Sequence, residues 1–209
     1  MQQDYHCPLV PGNVYHLINR AVGNEKLFRT GDNYIYFLAK YAQHTKAVCE
    51  TYCYCLLPDH FHLLVKMKEK REIASFFETI KRKKLLPNND AAMSDFLMER
   101  FSNWLNAYAK AYNKVYDRKG GLFLDYTKRL LIKQNGCFGG VIQYIHANAV
   151  HHRLARAVRA WQHPSYNSLL SAAPTLLLRD EVMAVFGSKN EFISFHQQPF
   201  DRGLAQLLE

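Results

Sequence analysis

The sequence predicts an α+β domain, one antiparallel sheet with helices on it, and three observations predict it. Segments rich in β-branched and aromatic residues alternate with segments of helical apolar spacing. Two of the strand-like segments, 48–57 and 60–67, are separated only by Pro58-Asp59, a tight connection that implies antiparallel pairing. Between them and a later strand lies an apolar stripe of Met93, Leu97, Phe101, Trp104, Leu105, Tyr108 and Tyr112, the spacing of a long helix with one buried face.

Taken in order, the first strand runs from Asn13 to Val22 after the Pro11-Gly12 turn. Gly31-Asp32 starts a helix in which Tyr34, Phe37, Leu38 and Tyr41 recur up to about Thr45. The 48–57 and 60–67 hairpin comes next. A helix from Glu72 to about Lys84 puts Ile73, Phe76, Phe77 and Ile80 on one side, and Pro87-Asn88-Asn89 interrupts it before the long helix from near Asp90 to near Tyr116. Gly120-Gly121 ends that helix, and a fourth strand is expected over Leu122 to Ile132. After Asn135-Gly136 a last helix carries Phe138, Val141, Ile142, Ile145 and Ala149 on its apolar face. The first six elements match the split βαβ, ferredoxin-like arrangement, to which the last helix is an addition. Residues 1–160 form the main domain on this reading, and 161–209 an appended tail.

At 209 residues and 48% hydrophobic content the chain supports a proper core. No run approaches the ~18 apolar residues of a membrane span, and Met1-Gln2-Gln3-Asp4 lacks a signal pattern, so a cytoplasmic protein is expected. Five cysteines lack zinc-ribbon spacing, and Cys53-x-Cys55 reads as a pair of small strand residues. The net charge of +9 is unevenly placed: residues 66–159 hold 19 Lys and Arg against 8 Asp and Glu, a net +11, and the remainder 8 against 10, a net −2. Such an excess suits a polyanion, whose condensed counterions Lys and Arg replace; a solvated helix face is the plain alternative for any single lysine cluster.

The chemistry concentrates in Cys55 to Val65. Strand side chains alternate faces, so His60 and His62 project from one side and Phe61, Leu63 and Val65 from the other. Two imidazoles so placed are half of a metal site, and two polar residues on an exposed strand face are the bland alternative. Tyr144 and Asn148, i and i+4 on the last helix, share one surface and are candidates to complete the site. Set beside the apolar stripe, both are expected at the rim of the sheet. An Asn oxygen with two imidazoles favours Mg²⁺ or Mn²⁺, though the imidazoles also accept Zn²⁺.

The run Leu57-Pro58-Asp59-His60-Phe61-His62 resembles the HUH motif, histidine-hydrophobe-histidine, and Tyr144-Ile145-His146-Ala147-Asn148 resembles the tyrosine helix of single-tyrosine HUH transposases. The particular likeness is to the REP-associated tyrosine transposases, in which a Leu-Pro-x-His-x-His run precedes a Tyr-Ile-x-x-Asn-Pro-Val run. Gly121 to Tyr126 is similar to the glycine-started strand before the tyrosine helix, and the likeness covers roughly residues 13–155. The chain departs at Ala149, where the family commonly has proline; no chemical group is lost there. The resemblance implies that His60, His62 and Asn148 hold a divalent metal and that Tyr144 is the nucleophile, with His152 a weaker candidate ligand. It implies cleavage of single-stranded or hairpin DNA through a 5′-phosphotyrosine that leaves a free 3′-hydroxyl, and rejoining without ATP. Lys81, Arg82, Lys83, Lys128 and Arg129 are candidates for DNA backbone contacts, and the tail is a further one. A homodimer or a monomer is compatible with the likeness. Two other function classes compete: a non-catalytic nucleic-acid-binding protein on the same fold, and a zinc hydrolase acting through a metal-bound water. The hydrolase lacks a carboxylate base near the histidines other than Asp59, which reads as a turn residue.

Overall fold

The computed structural model describes residues 5–82, 89–133 and 137–208. Strands β1 (Val14–Arg20), β2 (Cys49–Leu56), β3 (His60–Met67) and β4 (Lys128–Ile132) form one sheet in the order β2-β3-β1-β4. Every neighbouring pair is antiparallel, which is the split βαβ order expected from the sequence. The fold is α+β. The helical interruption at Pro87-Asn88 and the Asn135-Gly136 turn fall outside the described residues.

Helix α1 (Gly31–Thr45) starts where the Asn33 side chain accepts the backbone N–H groups of Arg29 and Thr30. Helices α2 (Lys70–Lys81) and α3 (Asp90–Val115) follow β3, and Asn89 caps α3 by accepting the Ala92 N–H at 2.8 Å. The α3 stripe is core, as its spacing predicts: all seven of its residues are buried, together with Phe37 and Tyr41 of α1. Tyr15, Leu17, Phe61, Leu63 and Val65 supply the facing side of the sheet. That leaves Val14, His16, His62 and Leu64 on the opposite face.

Helix α4 (Phe138–His151) covers this second face and is itself covered by the tail. Beyond a 3₁₀ turn at Val158–Ala160, the tail forms α5 (Tyr166–Leu170), α6 (Arg179–Phe186), α7 (Lys189–Gln197) and α8 (Arg202–Leu208). Tyr166, Leu169, Val182, Phe192, Ala205 and Leu208 from these helices join Val141, Ile142, Ile145 and Ala149 in a second buried cluster. Gly140 permits the closest approach: a Cβ there would lie 2.9 Å from the Leu204 side chain. Because α4 is packed on both sides, Tyr144 and Asn148 are buried rather than aimed at the rim. The rim expectation assumed that only the sheet covers the helix.

The fourth strand is shorter than expected. Residues 122–127 follow β1 irregularly, since Leu124 N–H bonds to the Arg20 carbonyl while the Asn19 amide donates to Leu124 O and to Thr127 Oγ1. Those side-chain bonds replace a regular ladder. Outside the sheet, Leu56 N–H donates to His163 O, Ser165 N–H to Tyr54 O and Leu178 N–H to Thr51 O along β2, and Arg129 N–H of β4 donates to Tyr5 O. Among the described residues no helix is long and apolar enough to cross a membrane.

Candidate functional site

The hairpin register builds the site. On β1 and β3, Arg20 stands opposite His60 and Ile18 opposite His62, so His16 is the diagonal neighbour of His62 on the same face. A cavity of about 300 Å³ opens there, lined by Ile18, Asn19, Arg20, His60, His62 and Lys128 from the sheet, by Leu124 and Tyr126, and by Tyr144, His151 and His152 from α4 and its end. The sequence-predicted histidine pair and the distant tyrosine therefore share one cavity. The Tyr144 ring sits edge-on to His62 at 6.0 Å and to His16 at 6.2 Å between centroids. It is only 1% exposed, with Phe200 of the tail 6.2 Å away.

Both strand histidines have Nδ1 occupied. His60 Nδ1 lies 2.8 Å from Asp59 Oδ1, and Arg20 pairs with the other carboxylate oxygen at 3.4 Å. Burial works to raise the Asp59 pKa, but the His60 hydrogen bond and the positive charges of His60 and Arg20 outweigh it, so the carboxylate titrates below its ordinary value. Asp59 is thus a partner of His60 as well as the turn residue expected from the sequence. His62 Nδ1 lies 2.9 Å from His16 Nε2. Burial, followed by the charges of His16, His60, His152 and His151, holds His62 well below the usual histidine range, and burial drops His16 to about 3. Both are neutral at pH 7. His62 Nε2 is buried and has no hydrogen-bond partner among the described residues.

Asn148 is fully buried. Its amide nitrogen donates to the Tyr144 carbonyl at 2.9 Å, and carbonyls only accept, so Oδ1 is the atom left without a partner among the described residues. A neutral imidazole nitrogen and an amide oxygen, both buried and unsatisfied, are the atom types that ligate a divalent cation. Asn148 does not line the cavity. Among the described residues no three His, Cys, Asp or Glu side chains gather around one point, so the histidine pair would need an oxygen donor to complete a site.

No family model matches the chain. A curated protein of Haemophilus influenzae, provisionally named a REP-associated tyrosine transposase, is 25% identical over 120 residues. The match covers 56% of this chain, and the chain spans 59% of that relative's length. A solved structure, described as a REP-associated tyrosine transposase bound to a REP hairpin, shares the fold with a TM-score of 0.60 at 12% identity, over 83% of this chain and 89% of the other. Both likenesses are to REP-associated tyrosine transposases.

Of the candidate residues from the sequence, the structure brings together His60, His62, Tyr144, Lys128 and His152, whose ring lies 4.7 Å from that of His60. Lys128 also carries its ammonium 4.7 Å from the Tyr5 ring centroid. The other cations do other things. Lys81 pairs with Glu99 at 2.6 Å, on the helices over the far face of the sheet. The Arg129 guanidinium donates to the carbonyls of Cys7, Thr127 and His6. Arg82 is exposed at the end of α2 in a left-handed conformation, and Lys83 lies outside the described residues. Sequence reasoning missed His16, Arg20 and His151. Only the β1–β3 register, with Arg20 opposite His60, could have found the first two.

Proposed function

We propose that this protein is a REP-associated tyrosine transposase that nicks and rejoins single-stranded or hairpin DNA through Tyr144. The observation that carries the reading is the meeting of Tyr144, His60 and His62 on one cavity, from segments more than 80 residues apart in sequence. The phenol oxygen attacks the scissile phosphorus. A phosphotyrosine ester forms as the bond from phosphorus to the 3′ oxygen breaks, the phenol gives up its proton, and the leaving 3′ oxygen gains one. Reversal of the same exchange reseals the strand, since one ester replaces another. The edge-on histidine rings fix the Tyr144 ring, and Lys128 and Arg20 on the cavity wall suit the charge of a phosphate.

The residues suit a divalent ion, Mg²⁺ or Mn²⁺, which His60, His62 and Asn148 would hold, because His62 Nε2 and Asn148 Oδ1 are buried without partners among the described residues. Such an ion, when bound, would supply charge stabilisation to the phosphate oxygens in the transition state. A non-catalytic hairpin-binding protein is the second reading, favoured by the near-complete burial of Tyr144. One experiment separates the two: labelled hairpin DNA is incubated with the protein and Mn²⁺, and SDS-stable adducts are mapped by mass spectrometry. An adduct at Tyr144 that disappears in Tyr144→Phe while hairpin binding persists supports the enzyme. Binding with no adduct in the wild type supports the second reading.

A further inference from the structure

His16 belongs to no motif and to no proposed ligand set. It is fully buried on β1, its ring stacks on that of His62 at 5.1 Å and 21°, and its Nε2 makes the 2.9 Å bond to His62 Nδ1. A buried polar ring in the apolar face of a sheet costs free energy unless its nitrogens are paired, and His16 Nδ1 is not paired among the described residues. The chain therefore keeps an imidazole here at a cost, where Val14 and Leu64 on the same face are apolar.

The bond has two forms. With both rings neutral, one proton lies between His62 Nδ1 and His16 Nε2. If His16 holds it, the remaining nitrogen of His62, Nε2, carries the other proton and offers no lone pair. If His62 holds it on Nδ1, its Nε2 lone pair is available. His60 shows the same logic, with the Asp59 carboxylate accepting at Nδ1. We infer that His16 is a positioning residue: it accepts the Nδ1 proton of His62 and so holds His62 in the tautomer, and the stacked orientation, that presents Nε2 to a metal. The inference rests on the proposed metal site. His60 thus has a charged partner at its Nδ1 and His62 a neutral one, so the two ligands differ in basicity although they sit two residues apart.

The test uses the full chain and Mn²⁺ alone, without DNA. Affinity is read from the electron paramagnetic resonance signal of free Mn²⁺, and folding from thermal unfolding. His16→Phe keeps a ring of similar size but removes the acceptor, and His16→Gln restores an acceptor near the position of Nε2. Mn²⁺ binding is expected to weaken ~10- to 100-fold in His16→Phe, the usual effect of losing a partner of a metal-bound histidine, and to recover most of that in His16→Gln. Wild-type affinity in folded His16→Phe, or equal weakening in both variants, overturns the acceptor role. Nitrogen-15 shifts of the His62 ring in the metal-free wild type, assigned by their loss in His62→Ala, give an independent reading. Protonation at Nδ1 supports the inference and protonation at Nε2 overturns it, even if His16→Phe fails to fold. Indistinguishable Mn²⁺ binding by the wild type and His62→Ala instead sinks the metal site itself, a separate failure.

Discussion

The molecule buries two pairs of hydrogen-bonded histidines, and they are built to opposite ends. On the sheet, His16 and His62 form a bond whose outer atoms, His16 Nδ1 and His62 Nε2, have no partner among the described residues. Under the tail, the chain of bonds closes. Phe192 O accepts from His196 Nδ1, so His196 Nε2 is the lone pair that accepts from His146 Nδ1 at 2.8 Å. His146 Nε2 then accepts the Ser165 hydroxyl at 2.9 Å, and Ser165 Oγ accepts the Tyr54 N–H at 2.8 Å. The two pairs are similarly deep in the protein and differ in what is left over. A buried network with every member satisfied specifies a structure, whereas an unsatisfied buried nitrogen beside a cavity calls for a reason, which the proposed metal supplies.

The sharpest way to break this contrast is His62→Ala. Metal-dependent cleavage should fall by more than ~100-fold, since a ligand loss exceeds the ~10- to 100-fold effect of losing a ligand's partner, while the stability loss stays no larger than that of His146→Ala because only the bond to His16 is broken. Cleavage rates and urea unfolding on the same preparations check it. His146→Ala should do the reverse. It strands His196 and Ser165 in the interior, and a stability loss of about 1–3 kcal/mol is expected, with cleavage per folded molecule kept. If His146→Ala abolishes adduct formation without destabilising the fold, the division between the two pairs is wrong.

Acid should weaken both pairs. Burial lowers His16 to about 3 and, despite the bond to Phe192 O, His196 to about 4, both below the ordinary histidine value. The unfolded chain therefore takes up protons first as pH falls. The contribution of these groups is complete above about pH 6.5 and is lost progressively between there and about pH 3, so the urea midpoint should drop from pH 7 to pH 5. A midpoint that rises over that interval contradicts the neutral, buried assignment. The smallest effect concerns the cations. Lys128→Ala should weaken hairpin binding and reduce its salt slope by about one, while Lys81→Ala, already paired to Glu99, should leave both unchanged.

The histidine pair and the Tyr144–Asn148 pair were legible because each depends on a local period, two for a strand and 3.6 for a helix. The sheet order followed from the sequence of elements and the short Pro58-Asp59 turn. What the chain alone did not reveal depends on pairing at a distance. His16 gains its partner 46 positions away, and only through the β1–β3 register. The burial of Tyr144 needs helices α5 to α8, whose short amphipathic stretches carry little periodic signal. The irregular run 122–127 turns on one Asn19 amide, and the basic Arg129 is committed to backbone carbonyls, which charge counting does not see.

The chain also dresses both flanks of its own sheet. Along β2, Thr51, Tyr54 and Leu56 already exchange hydrogen bonds with Leu178, Ser165 and His163, and on the other side Tyr5 occupies Arg129. An open edge would be a template for a neighbouring molecule, and these segments fill the places where it would add. A second copy adding a strand along β2 would first have to displace the tail segments bonded to Thr51, Tyr54 and Leu56, and along β4 it would meet the N-terminal segment at Arg129.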